Sequence, residues 1–186
     1  MQTIQIYDNP EEIKVHDLIE IYNKEGLDTL KKNESLNKIM AMTPPSTWIK
    51  KHPYAKDHLY IPIDKVEYLL RKIFKMYRIE ITGNGTAFNG VWVTVRVHYL
   101  NPVNNIWDYH DGIGASQLQT KKDTSPADLA NINNGAISMA FPIAKTLAVK
   151  DACDHFGSIF GANLNRKDVI EFQPDKNIMN HDSSFE

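Results

Sequence analysis

The residues able to do chemistry in this chain of 186 residues are its 7 histidines, its 23 carboxylates and a single cysteine. The tightest constellation is His98 and His110 with Asp108 and Asp111. On neighbouring strands the two imidazoles could face each other, giving a metal or acid–base cluster of the kind a metal-dependent nuclease would use. Ordinary solvent-facing sheet positions explain the same four side chains. The other histidines are scattered, without an HExxH pair. A nuclease also wants convergent carboxylates beside a lysine, and Glu12-Ile13-Lys14 falls on a helical segment rather than a strand. Cys153 lies between Asp151 and Asp154, which disfavours a reactive thiolate. There is no GxxxxGK[ST] phosphate loop, and Gly83, Gly85 and Gly90 lack dinucleotide-fingerprint spacing and read as hairpin-turn glycines. The expectation is a non-enzymatic protein without a cofactor or a metal.

The cationic residues say more. The formal net charge is -2, which argues against a nucleic-acid binder, but the average hides a division. Residues 1–43 carry net -3, residues 44–122 net +5 and residues 123–186 net -4. A basic middle between acidic ends is what one polyanion-facing surface on a soluble protein would produce. Aromatic residues in or near that middle, Trp48, Tyr54, Trp92 and Tyr109, could stack bases, although core or subunit-interface roles are the commoner use of such side chains. Arg96 could reach a polyanion or pair with Glu80 across a sheet.

The elements that must position these residues follow from periodicity. Asn9-Pro10-Glu11-Glu12 opens a helix carrying Val15, Leu18, Ile19 and Tyr22, with Gly26 as its stop. A second helix runs through Leu36, Ile39 and Met40 to the Pro44-Pro45 break. Asp64–Lys75 is amphipathic, with Val66, Leu69, Leu70, Ile73 and Phe74 on one stripe and Lys65, Arg71 and Lys72 off it. Strands are expected over Met76–Thr82, Val91–Tyr99 and Ile106–Ala115, joined by turns at Gly83-Asn84-Gly85 and Asn101–Asn105. A long helix over about Pro142–Phe160, with Pro142 in its first turn and Gly161 and Asn163 at its end, should cover the apolar face. Its line of Ala140, Ala144, Ala148 and Ala152 permits close approach. The reading is α+β: an antiparallel β-β-β meander covered by a long α-helix, preceded by N-terminal helices. Ser116–Asn134 is a long polar connection, and Gln173–Glu186 reads as a disordered tail.

With 42% hydrophobic and 24% charged residues, one core of ordinary size is expected, with no membrane span and no secretory signal, hence a cytoplasmic protein. One cysteine excludes an intramolecular disulfide.

The motifs that lie along these elements resemble those of the Rad-fifty-two family of single-strand annealing proteins. They are PPSTWIK at Pro44–Lys50, LYIPIDKVEYLLRKIF at Leu59–Phe74, VTVRVHY at Val93–Tyr99, YHDGIGAS at Tyr109–Ser116 and AVKDACDHFGSIFGANLNRKD at Ala148–Asp168. They occur in the family's order over roughly residues 36–168, within an annealing domain of residues 1–172. The length is similar to that of a compact phage or bacterial version.

That resemblance implies ATP-independent pairing of complementary DNA strands in recombination and repair, by an oligomeric ring or filament with single-stranded DNA in a basic groove. Lys65 and Lys150 match inner-groove positions, and Lys121 or Lys122 falls near the basic residue of an outer site. Two further basic positions of the family's long helix are Asp151 and Asp154 here, a departure for which Lys145, Arg71 or Arg96 would compensate. The implied partners are single-stranded DNA and further copies of the chain. Double-stranded DNA and a host or phage single-strand-binding protein or exonuclease stay open as others. A protective single-strand binder without annealing activity is the rival reading.

Overall fold

A computed structural model describes residues 24–52, 55–125, 127–176 and 178. The helix expected over Pro10–Tyr22 and the aromatic Tyr54 lie outside them. The chain divides into two compact units, Met1–Ile39 with Glu171–Glu186, and Met40–Ile170.

Helix α1 (Lys24–Ala41), whose residues up to Ile39 belong to the first unit, has Leu27 buried. Gly26 is inside this helix rather than at a stop. A lone glycine costs a helix only about 1 kcal/mol relative to alanine, which the residues around it can outweigh. In the stretch read as a disordered tail, the Asp175 N–H donates to Glu34 Oε1 at 2.7 Å and Ile178 is buried.

The second unit holds the α+β core. Strand β1 (Lys50–Lys51) pairs antiparallel with β2 (Leu59–Tyr60), Lys50 opposite Tyr60. Helix α2 (Ile63–Ile73) follows Pro62 and buries Val66, Leu69 and Leu70, the stripe its spacing predicts. Strands β3 (Tyr77–Ala87), β4 (Gly90–Leu100) and β5 (Trp107–Gln117) then form a three-stranded antiparallel meander in the order β3-β4-β5. Helix α3 (Ala136–Asp154) packs on one face of it. This is the expected β-β-β-α arrangement.

Alternation on β4 is complete: Val91, Val93, Val95, Val97 and Tyr99 are buried toward α3, and Trp92, Thr94, Arg96 and His98 point the other way. Ala144, Ala148 and Ala152 are fully buried or nearly so, and the strand beneath them matches. A Cβ on Gly112 would overlap the Ala148 carbonyl oxygen and the Ala152 amide nitrogen, and one on Gly114 the Ala144 carbonyl oxygen and the Ala148 amide nitrogen. Two glycines therefore complete the close approach that the alanine line anticipates.

Three boundaries differ from expectation. Gly83-Asn84-Gly85 is not a turn. β3 runs through it, with an irregularity between Ile81 and Gly83, and the chain reverses at Phe88-Asn89, Phe88 taking φ +49°. The glycines serve Trp92 instead, whose indole lies where a Cβ on Gly85 would be, 2.8 Å away. Helix α3 starts six residues before Pro142 and ends six before Phe160. Pro142 thus sits inside the helix on an exposed turn, at the loss of one backbone bond, and Gly157, three residues past the helix end, takes φ +120° to open the turn at Ser158–Phe160. Within the Ser116–Asn134 connection, Thr120 and Ile132 form an isolated bridge and the Asn133 N–H donates to the Gln119 carbonyl at 2.9 Å.

Candidate nucleic-acid interface

The register separates the constellation that looked most like an active site. His110 stands opposite Val97, and His98 opposite Tyr109. His98 therefore projects from the outer face of the sheet and His110 from the face toward α3. The two imidazoles do not face each other, and the nuclease reading loses its geometry. His110 packs against Phe156, His155 and Tyr99. Burial, then the His155 imidazole, hold its pKa below the ordinary histidine value. The Tyr99 hydroxyl donates to Asp108 Oδ2 at 3.2 Å, and burial followed by that carboxylate pushes its pKa up to about 12. Cys153 is buried, which raises its thiol pKa. Among the described residues, no group of three His, Cys, Asp or Glu side chains could hold a metal ion.

The outer face of the sheet is charged but balanced. Arg96 donates through Nε and Nη2 to the two oxygens of Asp111, at 2.7 and 2.8 Å, and its guanidinium lies 3.9 Å from the centre of the Tyr109 ring. Arg96 faces Glu80 across one strand boundary and Asp111 across the other, and it pairs with Asp111. Glu80 instead contacts His98 Nε2 at 2.8 Å and Arg78 at 3.5 Å. Of the two alternatives for Arg96, a polyanion or Glu80, the pairing one is redirected: the bidentate fit goes to Asp111 rather than Glu80. Two arginines against two carboxylates leave this face little net attraction for phosphate.

A groove on the open edge of β5 offers more. Two hollows of ≈ 370 and ≈ 810 Å³ share Ala115 as a wall and extend along the edge from Ile113 to Thr120. One side is α3, with Lys150 at one end and Met139 at the other. The opposite side comes from the β1–β2 hairpin, through His58 and Tyr60 in the first hollow and His52 in the second. Asn165 holds the hairpin in place by treating β2 as a sheet edge: its Oδ1 accepts the Leu59 N–H and its Nδ2 donates to the Leu59 carbonyl, both at 2.8 Å. Lys150 Nζ lies 4.5 Å from the centre of the Tyr60 ring. Burial draws the Lys150 pKa below the ordinary lysine value, with Asp154 opposing the shift.

The structure distributes the sequence-predicted cations unevenly around this groove. Lys150 is inside it, and Lys121 and Lys122 are exposed on the loop directly after Thr120 at its far end. Lys65, on α2, pairs with Asp64 at 3.1 Å and lies 5.7 Å from the Trp48 ring centre, and Trp48 meets Tyr68 edge-on. Arg71 pairs with Glu67 at 3.2 Å and donates to the Tyr77 hydroxyl at the start of β3, on the opposite edge of the sheet from β5. Lys145 lines a separate hollow with Ile81, Asn84 and Val93, on the other side of α3 from Lys150. Neither Lys145, Arg71 nor Arg96 is brought to the groove.

The residues that sequence reasoning missed are on the hairpin. Lys50, Lys51 and Lys56 are exposed there against the single acid Asp57, net +2 between residues 50 and 60. Their signal was a local run of lysines beside histidines, which becomes informative only when the hairpin is seen to wall a groove.

Neither a protein-family model nor a curated protein matches the chain.

Proposed function

We propose that this protein binds single-stranded DNA along the β5-edge groove and anneals complementary strands without ATP, as an oligomer acting in recombination. In this reading it works in the cytoplasm of a bacterial cell or phage-infected host. The observation that carries it is the groove itself, with Lys150 at one end, Lys121 and Lys122 beyond the other, and a wall from the β1–β2 hairpin built by His58, Tyr60 and His52, the exposed Lys50, Lys51 and Lys56 lying on the same hairpin. The ordered motif resemblance over residues 36–168 supports the same reading.

Annealing requires the backbone to be held while base edges stay free to pair. Lysines spaced along a groove do that without reading sequence, through phosphate binding and counterion release. Tyr60 offers a ring beside Lys150 for stacking. One subunit supplies only a handful of such interactions, so the affinity for a long strand comes from repeating the groove in an assembly.

The test is the annealing of complementary oligonucleotides without nucleotide or metal. Acceleration over the spontaneous rate is expected. Binding without acceleration would leave the protective single-strand binder as the correct reading, and no binding would end both.

A further inference from the structure

The groove contains a carboxylate that a phosphate-binding surface does not need. Asp154 follows Lys150 by one helical turn on α3 and lines the same hollow. Its ionisable surroundings are Lys150, Asp151 and His155 on α3 with the buried Cys153 thiol behind, His58 and Tyr60 on the hairpin, and Arg166 after the helix. The stretch of β5 in this hollow, Ile113–Ala115, has no ionisable side chain.

Asp151 is committed elsewhere, since its Oδ2 accepts the Ile113 N–H at 2.9 Å. Asp154 is therefore the carboxylate left to act on the hollow. Asp154 is an exposed residue whose carboxyl is partly desolvated where it lines the hollow; that desolvation, then the negative charge of Asp151, push it up to about 6, against the pull of Lys150, His155 and Arg166. Ionised, it competes with phosphate for Lys150 and repels the phosphate directly. Protonated, it does neither.

We propose that Asp154 is the affinity-setting residue of this groove, weakening its hold on single-stranded DNA at neutral pH and releasing that restraint in mildly acidic solution. The inference rests on the single-strand-binding reading above and adds a regulation that the lysines alone would not give. It makes binding reversible at neutral pH, where a strand must be handed over for pairing.

The experiment is fluorescence anisotropy of a labelled oligo-dT at fixed ionic strength, with the wild type, Asp154→Asn and Asp154→Glu, each checked by thermal melting. At about pH 7.5 Asp154→Asn should bind about three- to five-fold more tightly than the wild type, the scale of one partly screened charge. By about pH 5 the ratio should fall to about one, because the wild-type carboxyl is then neutral too. Taking the ratio removes the common contribution of the imidazoles His58 and His155. Asp154→Glu should keep the pH dependence. A ratio near one at every pH, or one that does not change with pH, overturns the gate while leaving the DNA-binding reading intact. Absence of binding by all three folded proteins at every pH overturns that reading, and the gate with it.

Discussion

The Asp151 carboxylate accepts the backbone N–H of Ile113 at 2.9 Å, so a helix side chain blunts the open edge of β5 at its midpoint. An exposed strand edge is a template for unwanted pairing, and an acid placed against it both satisfies a donor and repels a second edge. The same hydrogen bond ties α3 to the strand that forms the groove floor. Asp151→Ala should lower stability in urea unfolding by about 1 kcal/mol, the usual net value of one hydrogen bond, and should increase self-association on storage. Asp151→Asn keeps an acceptor and should recover most of the stability. Equal destabilisation in both variants would show that charge, not the bond, is what matters.

A sharper effect is expected beneath the helix. Gly112 and Gly114 leave no room for a methyl group, because the atoms a Cβ would strike are backbone atoms of α3. Relief requires lifting the whole helix from the sheet, which also uncovers Val93 and Val95. Gly114→Ala should therefore destabilise the unit by on the order of 3 kcal/mol, the upper range of overpacking costs. Gly90→Ala, where the nearest atom is the Ser116 carbonyl oxygen at 3.3 Å, should cost clearly less. The comparison is read from urea midpoints, and near-equal values would mean that the helix can shift freely.

The outer sheet face sets an acid limit. The Arg96 guanidinium beside Asp111 holds that carboxyl below its ordinary value. For a carboxylate depressed in the folded state, the stabilisation is full above the unfolded value of 3.8 and disappears as pH falls through the lower folded value. Asp111→Asn should accordingly flatten the stability profile below about pH 4 while leaving its shape at neutral pH unchanged. Stability curves of the two proteins that stay parallel down to acid unfolding would count against the pair.

How far the sequence reaches can be judged from particular residues. β4 was legible because Val91 to Tyr99 alternates without a break and one face is buried. The α3 packing was half legible: the alanine line is local, whereas Gly112 and Gly114 answer it from another strand. Gly83 and Gly85 misled because glycine serves a turn and a strand crossed by a large ring equally well, and Trp92 is the distant residue that decides. His98 and His110 could not be assigned to faces without the register, and a shift of one residue reverses the answer. The groove was the least legible part. β1 and β2 have two residues each, too few for any periodicity, and Asn165, which fixes them, is 106 residues from Leu59.

That groove also separates the cations into those that should bind phosphate and those that should not. For a single strand, abolishing one lysine–phosphate interaction reduces the slope of log affinity against log salt by about 0.7. Lys150→Ala should show a reduction of this size, and Lys50→Ala with Lys51→Ala should show up to about twice as much. Lys65→Ala added to Lys150→Ala tests whether α2 extends the track, since Lys65 is half-exposed and already paired with Asp64. Lys145→Ala should leave the slope unchanged, because its hollow is on the far side of α3. Arg96→Ala should change stability more than slope, because its charge is already met by Asp111. If substitution of Lys145 or Arg96 lowers the slope and that of Lys150 and the hairpin lysines does not, the DNA follows the opposite side of the helix or the open sheet face, and the β5-edge groove is not its path.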